Sequence, residues 1–325
     1  MTKIVRIHKT GGPEVMELEN AEIPAPGAGE VAIRHDAIGL NFIDTYFRSG
    51  LYPAPNGLPL TPGNEGAGTV IAVGDGVTEL TVGDRVAYAG PIGAYASERV
   101  ITAERLVKVP DGIDTRTAAG MMLKGMTAEY LLRRTFSVQP GQTILFHAAA
   151  GGVGLIVCQW AKALGATVIG TVGSDEKAAL AKAHGCDHPI VYTREKFAER
   201  VKELTVGEGV AVVYDSIGKD TYMDSLSCLR PFGLLALFGA ASGPVPLFDL
   251  GLLAKMGSLF ITRPTLFTYI AKRADLAQTA GELFEVVGSG KVKIEVNQRY
   301  ALKDAAKAQT DLEARKTTGS TILLP

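Results

Sequence analysis

The stretch His147–Lys177, HAAAGGVGLIVCQWAKALGATVIGTVGSDEK, decides the fold. A β-type run, TILFHAA, leads into Ala149-Ala150-Gly151-Gly152-Val153-Gly154, which opens a helix carrying Leu155, Ile156 and Trp160, and a second β-type run, TVIGTVG, follows. Strand, glycine turn, helix and strand in that order are the signature of a dinucleotide-binding unit. Glycine lets the backbone approach a pyrophosphate, and the N–H groups and positive dipole end of the helix stabilise the anion.

Two positions depart from the usual fingerprint. Ala149 stands where the first glycine normally serves the tight turn; a methyl fits there if φ is negative, while Gly151 and Gly154 keep the close-approach and packing roles. The second strand ends in Gly173-Ser174, with no acid. An acid at that point accepts hydrogen bonds from the ribose hydroxyls of NAD and repels a 2′-phosphate, so its absence favours NADPH. Ser174 can donate to phosphate oxygens and Lys177 can supply a positive charge. Asp175 and Glu176 are expected to face solvent in the first helical turn, where they complement the dipole. The plainer alternative makes Ser174 only an N-cap and Lys177 a solvated lysine.

Outward from this unit, strands and amphipathic helices alternate from about residue 124 to 264, which predicts a doubly wound parallel sheet. Before it, short runs such as VAIRHDAIGL and GTVIAVG are punctuated by Pro26-Gly27, Pro62-Gly63 and Gly83-Asp84, as in an irregular antiparallel or barrel-like domain. The expected division is therefore 1–123 together with 265–325, and 124–264, in an α/β chain. At 325 residues, two domains are the default. A formal charge of -1 gives no basic field for nucleic acid or anionic lipid. Three scattered cysteines suit a reducing, cytoplasmic setting, and no secretory signal or membrane-length apolar run is evident at the N-terminus or elsewhere.

The first domain with the A-x-G-G-V-G turn after it resembles the medium-chain dehydrogenase/reductase superfamily, whose plan is a GroES-like domain followed by a Rossmann domain. Zinc-bearing members use a cysteine, the histidine of a G-H-E motif and a further cysteine or glutamate. Here that motif reads Gly63-Asn64-Glu65, IGLNFIDTYFRSG lacks cysteine, and Cys158, Cys186 and Cys228 all fall beyond the first domain. An amide is a poor zinc ligand, so no metal is expected. With no Lewis acid built in, reduction of an already electrophilic acceptor is the easier chemistry. The segments NFIDTYFRSGLYP (Asn41–Pro53), LKGMT (Leu123–Thr127), YDSIG (Tyr214–Gly218) and TRP (Thr262–Pro264) are similar to the quinone oxidoreductases of the zeta-crystallin type.

That resemblance implies a quinone against the nicotinamide of NADPH. Asn41 is implied to bond the nicotinamide or the substrate carbonyl. Tyr46 and Tyr52 offer flat faces and hydroxyls. Asp44 could orient Tyr46, Arg48 or a water, although a carboxylate near a quinone gaining charge opposes reduction. For the cofactor, the candidates are Thr127, the turn Ala150, Gly151, Gly152, Val153 and Gly154, the pocket Gly173, Ser174, Lys177 and Tyr192, and the strand-end residues Ser216, Phe238, Gly239 and Arg263. Lys124 reads as an interdomain ion-pair residue and His147 as a packed strand residue rather than an acid. No nucleophile elbow is present around Ser216 or Ser258. A related reading keeps the cofactor and makes the substrate a 2-alkenal or enone; one from another class is an NADPH-binding structural or RNA-binding protein. Strands LLALFG and SLFITRP could pair with their copies across a two-fold axis, giving a homodimer.

Overall fold

The computed structural model describes residues 1–325. Near the N-terminus, Thr2–Ile7 (β1) and Met16–Ala21 (β2) form an antiparallel hairpin, and Glu30–Leu40 (β3) runs into the helix Phe42–Ser49 (α1). Glu65–Val73 (β4), Arg85–Ala89 (β5), Glu98–Thr102 (β6) and Val107–Lys108 (β7) lead to Thr115–Glu129 (α2), whose last turn widens into a π-helix over Tyr130–Thr135. Next come Thr143–Phe146 (β8), Gly152–Ala163 (α3), Thr167–Val172 (β9), Asp175–Ala183 (α4), His188–Val191 (β10), Phe197–Leu204 (α5) and Val210–Asp215 (β11). The chain continues through Tyr222–Ser227 (α6), Leu229–Leu237 (β12), Gly251–Lys255 (α7), Phe260–Thr262 (β13), Leu266–Tyr269 (α8) and Arg273–Gly288 (α9). Val296–Ala301 (β14), Ala305–Glu313 (α10) and Ser320–Leu324 (β15) complete it.

Two compact units result: Met1–Met126 with Ile270–Gly288 and Ile294–Pro325, and Thr127–Tyr269 with Ser289–Lys293. The limits fall at Met126 and Ile270, where the sequence suggested Leu123 and Thr265, and side chains explain the offset. Tyr269 stacks on Tyr130 at 4.5 Å, which keeps α8 with the second unit. Gln159 takes both backbone groups of Lys293, donating to its carbonyl at 3.0 Å and accepting from its N–H at 2.9 Å. That clamp holds Ser289–Lys293 on the same unit.

In the first unit the sheet order is β14-β15-β3-β4-β5-β7, with β6 also on β3. Its core is Val31, Ile33, Ile38, Leu40, Val70, Val86, Tyr88, Tyr95 and Leu323. β3 is buried on both faces over Gly39–Leu40, which is where the chain turns into α1. The second unit holds a six-stranded parallel sheet in the order β10-β9-β8-β11-β12-β13. Counted from β8 this is 3-2-1-4-5-6, so the order reverses between β8 and β11, the crevice at whose carboxyl ends open α/β sheets take ligands. The residues that follow Phe146, Val172, Asp215 and Leu237 therefore share one edge.

Candidate functional site

At that edge the turn after β8 is tight. The left-handed conformation falls on Ala148, with φ 58°, one residue before the expected strain point. Ala149 is fully buried, and its methyl fills the space beside Gly170: a Cβ built on Gly170 would lie 2.6 Å from the Ala149 Cβ. The missing fingerprint glycine thus has its counterpart on β9. Gly151 is the N-cap of α3, in extended conformation, and Gly154 faces the turn so closely that a Cβ would meet the Ala148 carbonyl at 2.4 Å. Ala150 is buried; Gly151, Gly152 and Val153 are half-buried at the helix start, where the Gly151 N–H closes the turn on the Ala148 carbonyl at 2.9 Å and the N–H groups of Gly152 and Val153 are the natural anion donors.

The turn rests on a buried polar network. Ser225 donates to Asp215 Oδ2 at 2.9 Å, so the 2.9 Å contact between Ser225 and His147 Nε2 must have the imidazole as donor. His147 Nδ1 then accepts from the Thr171 hydroxyl at 2.9 Å. Burial holds His147 below its ordinary pKa against the pull of Asp215, in keeping with this neutral tautomer. Asp215 also accepts from Thr221 at 2.7 Å and from the N–H groups of Ile217 and Gly218 at 2.8 and 3.0 Å. The carboxylate therefore shapes the turn that presents Ser216. His147 is a packed residue, as its strand position suggested, but one that ties β9, β11 and α6 together.

Around the end of β9, Ser174 caps α4, its hydroxyl accepting from the Lys177 N–H at 3.3 Å. The same hydroxyl donates to Glu176, the main reason that carboxylate lies below its usual range. Asp175 is exposed, as its place in the first turn suggested, and Arg194 pairs with it through two bonds of 2.6 and 2.7 Å. Tyr192 is partly exposed and sets its hydroxyl against Gly173, where a Cβ would be 3.1 Å away. Lys177 is half-buried in the first turns of α4. Gly239 closes the β12 end, since a Cβ there would lie 2.4 Å from the Ser216 carbonyl. The Phe238 ring packs on Phe146 at 5.6 Å, and Arg263 donates to the Leu237 carbonyl at 2.9 Å, which places it as a clamp on β12. Thr127 is buried on α2.

The first unit carries a second polar centre. Glu65, with no exposed surface, accepts from Lys124 Nζ, from Asn41 Nδ2 and from the Leu123 N–H, each at 2.8 Å. Lys124 is thus paired within the first unit, which corrects its reading as an interdomain residue. Gly39 makes the room: a Cβ would lie 2.1 Å from Glu65 Oε2 and 2.3 Å from the Ala119 carbonyl. With Nδ2 bonded to Glu65 and the side chain also capping α1, the Asn41 amide is fixed in direction.

Asp44 needs the larger correction. Arg48 is bonded elsewhere, and Asp44 has no exposed surface from which to meet a substrate directly. Its carboxylate accepts from Asn64 Nδ2 and the Asn41 N–H at 2.9 Å and from Tyr95 at 3.1 Å, and Tyr95 in turn accepts from Gln309. Burial raises its pKa to about 6 against those donors. It is the N3 residue of α1, and its carboxylate returns to the N-cap N–H, as in a capping box with Asn41. Arg48 pairs instead with Glu313 and Gln309 on α10. Tyr46 and Tyr52 meet edge to face at 5.2 Å and, with Phe47 5.8 Å from Tyr52, form an aromatic cluster. Sequence reading missed Tyr95, Gln309, Gly39 and Arg194. Only Gly39 carried a signal, as a glycine inside a strand.

The comparisons with known proteins follow this geometry. A model described as zinc-binding dehydrogenase matches residues 152–285, and one described as alcohol dehydrogenase GroES-like domain matches residues 27–138. A quinone oxidoreductase of Pseudomonas aeruginosa is 57% identical over 100% of both chains. A 2-haloacrylate reductase of Burkholderia is 48% identical over 98% of each. The crystal structure of Escherichia coli quinone oxidoreductase complexed with NADPH superposes with a TM-score of 0.97 at 48% identity, covering 100% of each chain. A GroES-like unit followed by a dinucleotide sheet is the plan of the medium-chain dehydrogenases and reductases. Within that superfamily the chain belongs to the quinone oxidoreductase family.

The zinc in the first model's description does not fit these residues. Asn64, at the histidine position of G-H-E, spends its amide N–H on Asp44. Both buried carboxylates already receive three donors each. Cys158, Cys186 and Cys228 are buried and belong to the second unit, not to the unit that holds this donor set.

Proposed function

We propose that the protein is an NADPH-dependent quinone reductase that works without zinc. The observation that carries the reading is the end of β9: a glycine, a hydroxyl and a lysine stand where NAD-specific sites keep a ribose-binding acid. NADPH supplies the hydride, or its electrons, that the acceptor takes up. The α3 N-terminus and the Gly151–Gly154 backbone hold the pyrophosphate. Ser174, Lys177 and Tyr192 receive the adenosine ribose with Gly173 between them; Thr127, Ser216, Phe238, Gly239 and Arg263 complete the cofactor contacts. Asn41, fixed by Glu65, offers its remaining N–H to a carbonyl. Tyr46 and Tyr52 take the flat acceptor. Asp44 serves as a positioning residue for α1 and Asn64.

Steady-state reduction of 1,4-benzoquinone and 9,10-phenanthrenequinone with NADPH, beside 2-alkenals, tests this. Turnover of the alkenals alone would replace the quinone reading with reduction of an electron-poor carbon–carbon double bond, a reading that the 48% identical haloacrylate reductase favours.

We also propose a cytoplasmic homodimer. β13 is the last strand of its sheet, and Phe260 on it is 60% exposed beside Phe232 at 71%. An apolar open edge is suited to pair with its own copy. Light scattering of wild type and Phe260→Lys checks it: a dimer turning to monomer is expected, and a monomeric wild type would refute it. No helix is long and apolar enough to cross a membrane.

A further inference from the structure

The cofactor pocket contains an acid after all. Asp175 begins α4 one residue beyond the Gly173-Ser174 turn, in the first turn of the helix that the proposed 2′-phosphate would face. Glu176 follows it, held by the Ser174 hydroxyl. Two carboxylates beside a dianion argue against NADPH, yet one of them is paired with a cation. Arg194 crosses from the loop after β10 to make a two-bond fork with Asp175, at 2.6 and 2.7 Å. The crossing is built into the loop: the Tyr192 N–H bonds Val172 at 3.1 Å, and the Thr193 hydroxyl bonds the Gly173 carbonyl at 3.4 Å. The nearby Glu195 is turned away, accepting the Val191 N–H at 3.1 Å. Asp175 is thus paired with Arg194, and Glu176 is held by the Ser174 hydroxyl.

We propose that Arg194 is a specificity-determining residue that masks Asp175 and so admits the 2′-phosphate; this deepens, and rests on, the NADPH reading. A guanidinium has five N–H donors, and the fork uses two, so Arg194 retains donors for phosphate oxygens while it neutralises the acid. Lys177 alone would face two unmasked carboxylates. The sequence motif therefore reads as acid-free only because a residue some twenty positions further on silences the acid, which short-range inspection of the turn does not reveal.

The test is equilibrium binding, by nucleotide fluorescence, of NADPH and NADH to the whole protein, with 2′,5′-ADP and 5′-ADP as competitors that carry no nicotinamide. In R194A the NADPH over NADH preference should fall roughly tenfold, since an exposed like charge next to a dianion acts through a high dielectric, and the fall should shrink in molar salt. The double variant R194A/D175N should recover most of the preference. A preference that survives R194A overturns the role of Arg194. Loss in R194A with no recovery in the double variant overturns masking. A wild type that binds both nucleotides equally overturns the NADPH reading itself. Circular dichroism of R194A, in which only an exposed pair is lost, verifies that the fold is intact.

Discussion

The two units solve the same problem, holding polar groups in fixed directions, by opposite means. In the first unit the groups are side chains: Asn41, Asp44, Asn64, Glu65, Tyr95 and Lys124 are all buried and bonded to one another. In the second they are backbone amides at a helix start, exposed by glycines and by the close approaches at Gly154 and Gly239. Direction in the first unit depends on completing a network at the groups themselves, and in the second on keeping a volume empty above a network, His147–Ser225–Asp215, that only supports the turn. Removing a partner should therefore injure the first unit most, and adding a methyl should injure the second.

The largest effect is expected from Lys124→Met. It leaves the Glu65 carboxylate buried with only amide donors, and removing one member of a buried ion pair costs about 3–5 kcal/mol. Urea unfolding read from hydrogen exchange of the first-unit strands should show that loss. A change below about 1 kcal/mol would mean that the pair is not closed off from water, and the contrast between the units would weaken.

A pH titration sharpens the same contrast. His35, bonded to Ala96 and Tyr88, is pushed down to about 3 by burial. A base with a depressed folded pKa stabilises fully above its ordinary 6.5 and loses that contribution as pH falls towards 3. Asp44 acts in reverse: raised from 3.8 to about 6, it favours the folded state increasingly as pH falls through that window. Between about 6 and 3.8 the two slopes cancel, leaving a net loss of only ~2 kcal/mol over the whole range from 6.5 to 3. His147 is likewise held low by burial. Exchange protection compared at pH 7 and 4.5 should therefore fall in β8, β9 and β11 as the unfolded imidazole takes up a proton that the folded one refuses. Unchanged protection in those strands would refute the assignment.

Ser225→Ala breaks the network that supports the glycine turn. His147 Nε2–H loses its acceptor and Asp215 loses one donor, a cost of about 1–2 kcal/mol. Because Asp215 shapes the turn around Ser216, cofactor affinity should weaken with stability, in a titration monitored by nucleotide fluorescence. A stability loss with unchanged affinity would detach the network from the site.

These contrasts also explain what could be read in advance. The doubly wound sheet, the turn at Gly151–Gly154 and the departure from zinc ligation at Asn64 were legible because each depends on local spacing or on residue type. The role of Asp44 was not, since Tyr95 and Gln309 come to it from 51 residues away and beyond, and nothing near Asp44 marks them as donors. Arg194 was hidden for the same reason: a salt bridge has no periodicity. The division at Ile270 depended on a ring stack, Tyr130 on Tyr269, that neither segment signals by itself.

The smallest effect concerns Ala149, the residue that made the fingerprint look defective. Ala149→Gly restores the usual letter, yet it deletes a fully buried methyl and loosens the unfolded chain, together about 1 kcal/mol of destabilisation. Gly170→Ala should cost more, because its methyl meets the Ala149 Cβ at 2.6 Å and Cys186 Sγ at 2.7 Å. In the double variant the first of those clashes disappears and the second stays. The double variant should therefore be more stable than the sum of the single changes predicts, without reaching wild type, in thermal unfolding followed at 222 nm (a helix wavelength). Simple additivity would show that Ala149 and Gly170 do not share one space, and that the alanine in this turn needs a different reason.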